Sequence, residues 1–252
     1  MDALEECHSR LVRLIGSSAE PIEVLQCAEE HRAYWRPERV RVVLLAESHV
    51  YTETSELDRR VVLPSFMGID VPRGFVRLVY CLGYGENSLL DLPIFIAANS
   101  GTPQFWKIFY SCVNRVHANE DFAPIQVSRT PFPERIWNKL ALLQHLKEAG
   151  VWLVDASLAA LYIPKCPKPS PMLVEAALRM SWDAYVGQIV RNASPSCIVC
   201  IGKGVARSLG NRLFELGVPV TIVPQPNARL ASTEYFEVFQ KYHDTVWLTL
   251  QK

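Results

Sequence analysis

Residues 40–52 place a near-continuous run of branched aliphatic side chains directly before a group of polar ones. A run of this kind is typical of a strand that is covered on both faces, as in a parallel sheet flanked by helices. Open α/β sheets bind ligands outside the carboxyl ends of such strands. We therefore predict an active site around Glu47, Ser48, His49 and Tyr51. The motif alone leaves open the alternative that Glu47 and His49 only cap the next element.

The rest of the chain alternates strand-like apolar segments with stretches of helical periodicity. Strands are predicted near residues 40–46, 151–155, 197–201 and 218–223, and helices at 2–15, 104–116, 134–148 and 172–192, with others beginning at Pro21, after Gly204 and beyond Arg229. Residues 75–82 fit either a strand or a buried helix. With 252 residues, of which 49% are hydrophobic, the chain can form one large domain over residues 1–252. We predict a three-layer α/β/α sandwich with a short, mainly parallel central sheet, in which residues 1–36 form N-terminal helices and the proline-rich residues 164–171 form a stiff surface loop.

The charge balance excludes a protein that is drawn to polyanions by its overall field, because 26 Lys and Arg side chains oppose 26 Asp and Glu side chains. Contact with DNA therefore needs a local basic patch. The chain has no apolar run of about 18 residues, and its first residues lack the pattern of a signal peptide. We expect no membrane partner and a cytoplasmic protein, or a nuclear one in a eukaryotic cell.

Seven cysteines at irregular spacing indicate free thiols rather than a disulfide framework. Cys197 and Cys200 have the spacing of a metal or redox motif, but their apolar neighbours favour the inside of a buried strand. No second pair of this kind completes a zinc or iron–sulfur set. The sequence thus predicts no metal and no cofactor.

Five segments, spread over most of the chain, resemble motifs of the uracil-DNA glycosylase superfamily. Ala46-Glu-Ser-His49 is similar to the first motif, of the type Gly-Glu-x-Pro, at the end of the first core strand. Gly150-Val-Trp-Leu-Val-Asp-Ala-Ser-Leu158 is similar to the strand that carries the family's base-reading Asn. Residues 196–204 resemble the following strand and its Gly-Lys turn, and Gln225-Pro-Asn227 stands where the family has His-Pro-Ser or Asn-Pro-Ser. Thr102-Pro-Gln-Phe-Trp-Lys107 resembles the Asn-Arg-Phe-Trp-Lys of the mismatch-specific branch.

The resemblance implies a DNA glycosylase that binds DNA, extrudes a nucleotide and hydrolyses its N-glycosidic bond. Glu47 would stabilise the cationic sugar or activate water, and His49 would donate a proton or a hydrogen bond to the departing base. Candidate substrate-binding residues, of which the aromatic ones serve either as a stacking platform or as plain packing, are Ser48, Tyr51, Phe66, Asp155, Gln225 and Asn227. Candidate DNA contacts, for which a solvated surface is the alternative, are Lys165, Lys168, Lys203 and Arg229.

The chain departs from the family pattern at positions that matter for chemistry. An Asn amide both donates and accepts, whereas an ionised Asp only accepts, so Asp155 would leave a uracil carbonyl without a donor. We therefore expect excision of a damaged or modified base other than ordinary uracil, one that presents N–H donors. The alternative is that burial beside Glu47 raises the pKa of Asp155, because a protonated Asp155 would again donate a hydrogen bond. The other departures are Ala46 for Gly, His49 for Pro, Gln225 for His, and Cys7 and Cys27, which cannot supply the four cysteines of the iron–sulfur branch.

Two other classes of function stay open on the sequence. One is a catalytically silent relative that binds nucleic acid. The other is a hydrolase or transferase that uses Glu47 and His49 on a small nucleoside-like ligand. The neutral charge favours the small ligand, while the ordered motifs favour DNA. The salt dependence of binding separates these classes, because each phosphate that the protein neutralises releases counterions.

Overall fold

The computed structural model describes residues 2–16, 19–92, 102–225 and 232–251. Within them a four-stranded sheet lies at the centre, formed by β1 (Val42–Ala46), β2 (Val151–Asp155), β3 (Cys197–Ile201) and β4 (Val220–Val223). All neighbouring strands are parallel, in the order β2-β1-β3-β4. Every residue of β1, β2 and β3 is buried, as expected for strands covered on both faces. The predicted parallel strands are confirmed, although β4 begins at Val220 rather than at residue 218.

Helices flank the sheet, which gives the predicted three-layer α/β/α architecture. The described α-helices are α1 (Ala3–Ile15), α2 (Ile22–Tyr34), α3 (Thr102–Val113), α4 (Glu134–Ala149), α5 (Pro171–Ser181), α6 (Gly187–Ala193), α7 (Lys203–Phe214) and α8 (Ser232–Leu250). A π-helical turn at Trp182–Val186 joins α5 to α6. Short 3-10 turns lie at Thr54–Glu56, Ser65–Met67, Asn87–Leu89 and Asn119–Ile125. Helix α7 packs on β3 and β4, and α5 packs against both α7 and α1. Helix α8 contacts β3 and β4, and α4 contacts β2, while α3 packs against α8 and α4.

Local sequence signals explain where several elements begin and end. The side chain of Asp2 accepts a hydrogen bond from the Glu5 amide and Glu5 reciprocates, which forms a capping box at the start of α1. Helix α4 ends at Gly150, whose φ of 85° lies in the left-handed region that favours glycine. The Gly150 carbonyl accepts a hydrogen bond from the Val42 amide. The turn after α4 therefore delivers β2 directly alongside β1.

Residues 75–82 form neither the strand nor the helix that their apolar content allows. They fold into consecutive turns whose backbone groups bond locally, as in the hydrogen bond from the Cys81 amide to the Leu78 carbonyl. Tight packing at Gly83 accompanies these turns, because a Cβ added there would lie 2.6 Å from Leu90. Apolar content alone does not distinguish such a buried irregular segment from a regular element.

All seven cysteines are free thiols, and Cys197 and Cys200 lie inside the buried strand β3, as their apolar neighbours predict. Among the described residues, no three His, Cys, Asp or Glu side chains are grouped so that they could hold a metal ion. None of the described helices combines the length and the apolar character that crossing a membrane requires.

Candidate functional site

The carboxyl ends of β1 and β2 lie side by side, because Ala46 is the register partner of Asp155. Neighbouring strands are about 4.8 Å apart, so the backbone of Glu47 lies close to Asp155. Two further backbone hydrogen bonds extend the pairing: the Ala156 amide donates to Ala46 at 2.8 Å, and the Ser157 amide donates to Glu47 at 2.9 Å. The two strand ends therefore meet as the sequence predicts.

The side chains at these strand ends nevertheless separate into two environments. Successive side chains on a strand point to opposite faces of the sheet. Asp155 is turned toward His49 and Arg32 in the interior. Glu47 contacts Tyr162 and lies against the first turn of α7. The region thus contains a half-buried carboxylate and, apart from it, a buried ionic network.

Glu47 is the half-buried carboxylate. Burial raises its pKa above the usual 4.5, and the hydrogen bond from the Tyr162 hydroxyl opposes this rise in part. A Cβ placed on Gly204 would lie 3.7 Å from Glu47 Oε1, so the carboxylate approaches the start of α7 without an intervening side chain. The positive end of the helix dipole lies there. Carboxyl groups whose pKa is raised by burial are common general acids and bases in enzymes.

Tyr162 is a site residue that sequence reasoning missed. It lies in the irregular loop after β2 and is 43% exposed. Burial, together with the neighbouring charge of Glu47, raises its pKa to about 12, so the hydroxyl remains a hydrogen-bond donor. No periodicity or motif marks a single tyrosine in such a loop, and only its contact with Glu47 distinguishes it.

The buried ionic network lies at the same end of the sheet. His49 Nε2 is 2.9 Å from Glu20 Oε2, and His49 Nδ1 is 3.6 Å from Asp155 Oδ2. Asp155 Oδ2 also accepts a hydrogen bond of 2.5 Å from Arg32. Arg32 pairs in addition with Glu29, one turn earlier on α2. The network therefore connects α2, the loop after β1 and the end of β2.

The network keeps His49 and Asp155 in their charged forms. Burial alone disfavours the imidazolium, but the carboxylates of Glu20 and Asp155 outweigh it and raise the pKa of His49 to about 9. Burial also disfavours the ionised Asp155, yet Arg32 and His49 outweigh it and lower the pKa of that carboxyl below its usual 3.8. These contacts do not favour the protonated Asp155 that the sequence left as an alternative, because its neighbours are cations rather than Glu47.

His49 occupies a different position from that expected of a proton donor to a leaving base. Its side chain is fully buried, and both ring nitrogens face carboxylates. An imidazolium held between Glu20 and Asp155 is a charged bridge inside the protein. Glu47 is the more accessible of the two predicted catalytic residues.

Glu20 is the second residue that sequence reasoning missed. It has no exposed surface, and its carboxylate accepts hydrogen bonds from the Thr52 amide at 2.7 Å, the Ala160 amide at 2.8 Å and His49 Nε2 at 2.9 Å. Thr52 and His49 belong to the loop after β1, and Ala160 belongs to the loop after β2. In the sequence, Glu20 stands just before Pro21 at a helix start, where an acidic residue is common for local reasons.

A small cavity lies against the network. Its volume is about 40 Å³, and it is lined by Ser48, His49, Val50, Arg77, Leu78, Val79, Tyr84, Phe105, Leu153 and Asp155. A water molecule needs about 10–15 Å³ by this measure, so the cavity holds a few waters or the polar edge of a ring rather than a nucleoside.

His49 Nδ1 has no hydrogen-bond partner, because its 3.6 Å separation from Asp155 is too long for one.

The remaining predicted substrate-binding residues are distributed around these two environments. Tyr51 is half-buried in the loop after β1, and burial raises the pKa of its hydroxyl. Gln225 follows β4 and lies beside the turn before α7, because a Cβ on Gly202 would be 3.3 Å from Gln225 Cγ. Phe66 belongs to a 3-10 turn, and its side chain falls outside the described part of the structure. Asn227 also lies outside the described residues.

The predicted DNA contacts include three exposed lysines. Lys203 is the first residue of α7, and Lys165 and Lys168 lie in the proline-rich loop. The prediction for Arg229 falls outside the described residues. The positions of the lysines leave both a phosphate-binding role and a solvated surface open.

Comparisons with known protein families and with curated proteins found no match for this chain. Its own geometry therefore defines the site: a half-buried carboxylate with a tyrosine partner at the start of α7, placed next to a buried network of alternating charges.

The raised pKa of His49 predicts a loss of stability at alkaline pH. A histidine with a pKa of about 9 in the folded protein and about 6.5 in the unfolded chain stabilises the fold fully below pH 6.5, and this contribution disappears as the pH rises through 9. The contribution is on the order of 3 kcal/mol. Urea unfolding of the wild type should therefore give a lower free energy of unfolding above pH 9 than at pH 6.5.

His49→Gln should remove most of this pH dependence, whereas His145→Gln, at an exposed position of α4, should retain it. An equal pH dependence of unfolding in His49→Gln and in the wild type would contradict the assignment of the imidazolium.

Proposed function

We propose that this protein is a DNA glycosylase that releases a damaged or modified base, other than ordinary uracil, by hydrolysis of the N-glycosidic bond. Support comes from the resemblance to the uracil-DNA glycosylase superfamily and from the parallel sheet, because the matching residues 46–49 begin at the end of β1 and the matching residues 150–158 contain β2. The observation that carries the proposal is Glu47, a half-buried carboxylate with a raised pKa that is hydrogen-bonded to Tyr162. A base-excising enzyme needs such a group where water meets the sugar.

Glu47 acts in its ionised form. The bond between C1′ and the base nitrogen breaks, and its electron pair leaves with the base, so positive charge develops on the sugar. The carboxylate stabilises that charge and accepts a proton from the water molecule whose oxygen bonds to C1′. The proton then passes to solvent or to the nitrogen of the released base. The Tyr162 hydroxyl orients the carboxylate throughout.

Local lysines supply the attraction for DNA in this proposal, because the chain carries no net charge. Lys203 is exposed and precedes Gly204, the residue that faces Glu47. Lys165 and Lys168 follow Tyr162 in the chain and are also exposed. Phosphate contacts of this kind position the duplex without reading its sequence.

Asp155 is the residue that favours a base other than uracil. It lines the 40 Å³ cavity, and Arg32 and His49 keep its carboxylate ionised, so that it accepts hydrogen bonds and does not donate them. A uracil carbonyl against this carboxylate would lack a donor, which costs about 1 to 3 kcal/mol. A base that presents N–H groups, such as an amino-bearing purine or a modified cytosine, fits the carboxylate better.

A hydrolase or transferase of a small nucleoside-like ligand is the second candidate. The absence of net charge favours it, because no overall field draws the protein to DNA. Binding to single- and double-stranded DNA at rising salt separates the two, because phosphate contacts make log affinity fall steeply with log salt. A catalytically silent binding protein would show that slope and release no base.

Glu47→Gln should strongly slow base release. The experiment is a panel of duplexes, each with one modified base, in which the released base is measured in single turnovers. General acid–base groups contribute about 100- to 10,000-fold, so Glu47→Gln should slow release by that factor, whereas Glu53→Gln, at an exposed position of the same loop, should not.

The wild type should release bases with N–H donors faster than uracil, and a gain of uracil release in Asp155→Asn would support the role of that carboxylate. Failure of the wild type to release any base, or full activity in Glu47→Gln, would contradict the proposal.

Tyr162→Phe should move the pH dependence of base release. The Tyr162 hydroxyl lowers the pKa of Glu47, so its loss raises that pKa, and the reacting carboxylate then forms only at higher pH. The acid limb of the pH–rate profile should therefore shift to higher pH in Tyr162→Phe. Tyr110→Phe, on α3, is the control that should leave the limb in place. An identical acid limb in Tyr162→Phe and the wild type would exclude the pairing with Glu47.

A further inference from the structure

Glu20 accepts more hydrogen bonds than its place in the sequence explains. It lies just before α2 and has no exposed surface. Its Oε1 accepts from the Thr52 amide, and its Oε2 accepts from both the Ala160 amide and His49 Nε2, at 2.7 to 2.9 Å. All three donors come from the two loops that follow β1 and β2. A residue that only capped a helix would bond to the backbone of that helix instead.

We infer that Glu20 is a positioning residue for the reaction, which clamps the loop after β1 to the loop after β2 so that Glu47 and Tyr162 meet. The inference rests on the proposed role of Glu47 as the reacting carboxylate. Glu20 itself lies in the interior and acts through the two loops.

The clamp lies only a short distance along the chain from both site residues. Glu47 comes two residues before His49, and Tyr162 comes two residues after Ala160. At the sheet, backbone bonds such as the one from the Ser157 amide to Glu47 already hold the loops together. Glu20 joins them a second time, so the loop after β1 is held on the far side of Glu47 and the loop after β2 is held just before Tyr162.

Only a carboxylate satisfies the three donors. Both oxygens of Glu20 accept, and neither can be replaced by a donor without opposing an N–H group. Glu20→Gln keeps the size of the side chain but sets an amide NH2 against Thr52, or against Ala160 and His49. Glu20→Asp keeps both acceptors on a side chain that is shorter by one methylene, so it should recover part of what Glu20→Gln loses.

The charge of Glu20 also reaches the site through His49. The charged groups that face the imidazole are Glu20, from the link between α1 and α2, and Asp155, from the end of β2. Arg32 on α2 neutralises Asp155, and Arg77 lines the same cavity. Without Glu20, one of the two carboxylates that raise the pKa of His49 is lost, so that pKa falls from about 9.

The experiment compares Glu20→Gln with Glu23→Gln, at an exposed position in the first turn of α2. A reacting group displaced by about 1 Å costs on the order of 100-fold, so Glu20→Gln should lower kcat by about that factor with KM unchanged. The pH–rate profile of Glu20→Gln should also differ from that of the wild type, because His49 loses its proton at a lower pH, while Glu23→Gln follows the wild-type profile. A loss that is equal at every pH and matched by an equal rise in KM would overturn the positioning role.

Two NMR titrations test the role of Glu20 without measuring base release. They therefore distinguish a failure of this role from a failure of the proposed function. In the wild type, the His49 ring should stay protonated up to pH 8. In Glu20→Gln, the pKa of the Glu47 carboxyl should fall toward its ordinary value, because loosened loops admit water and burial is a larger influence on that pKa than the hydrogen bond from Tyr162. If Glu20→Gln does not fold, the wild-type titration remains decisive: a His49 ring that titrates near its ordinary pKa overturns the clamp. A folded Glu20→Gln in which Glu47 titrates as in the wild type overturns it as well.

Discussion

Glu20 places a carboxylate where no solvent reaches it, and the protein must supply its hydrogen-bond donors from its own chain. The donors that it recruits lie in the two loops after β1 and β2. A buried carboxylate that lost these partners would cost several kcal/mol. The N-terminal helices are therefore tied to the site by electrostatics as well as by packing. The positions of Glu47 and Tyr162 follow from that tie.

Charge is balanced along the network rather than within single pairs. Glu20 and Asp155 flank His49, and Arg32 then balances Asp155 and Glu29. The alternation explains why a buried histidine stays protonated and a buried aspartate stays ionised. The network and Glu47 therefore differ in the roles that we propose for them. In the function that we propose, the network holds the two loops together and places an ionised acceptor at the cavity, while Glu47, the carboxylate outside the network, carries the acid–base chemistry.

The strands could be predicted because burial on both faces leaves a run of branched aliphatic residues, and residues 151–155 and 197–201 match their predicted bounds. Residues 75–82 could not, because turns packed in the interior have the same apolar content as a strand. The partners of the strand-end residues could not be predicted from the sequence either. Glu20 and Arg32 lie far from them in sequence, and their local surroundings show only signals of a helix and its start. Residues that are distant in sequence can meet in the fold without leaving a periodic pattern in the sequence.

Base release from a duplex that contains one modified base with N–H donors tests most directly whether the protein hydrolyses the bond at the sugar. The wild type is incubated with this duplex in single turnovers, and the sugar and the released base are analysed by mass spectrometry. Water attack assisted by Glu47 predicts free base and an abasic sugar in equal amounts, both formed about 100- to 10,000-fold more slowly in Glu47→Gln. Recovery of the intact duplex from the wild type, or equal rates in Glu47→Gln and the wild type, would contradict hydrolysis by this site.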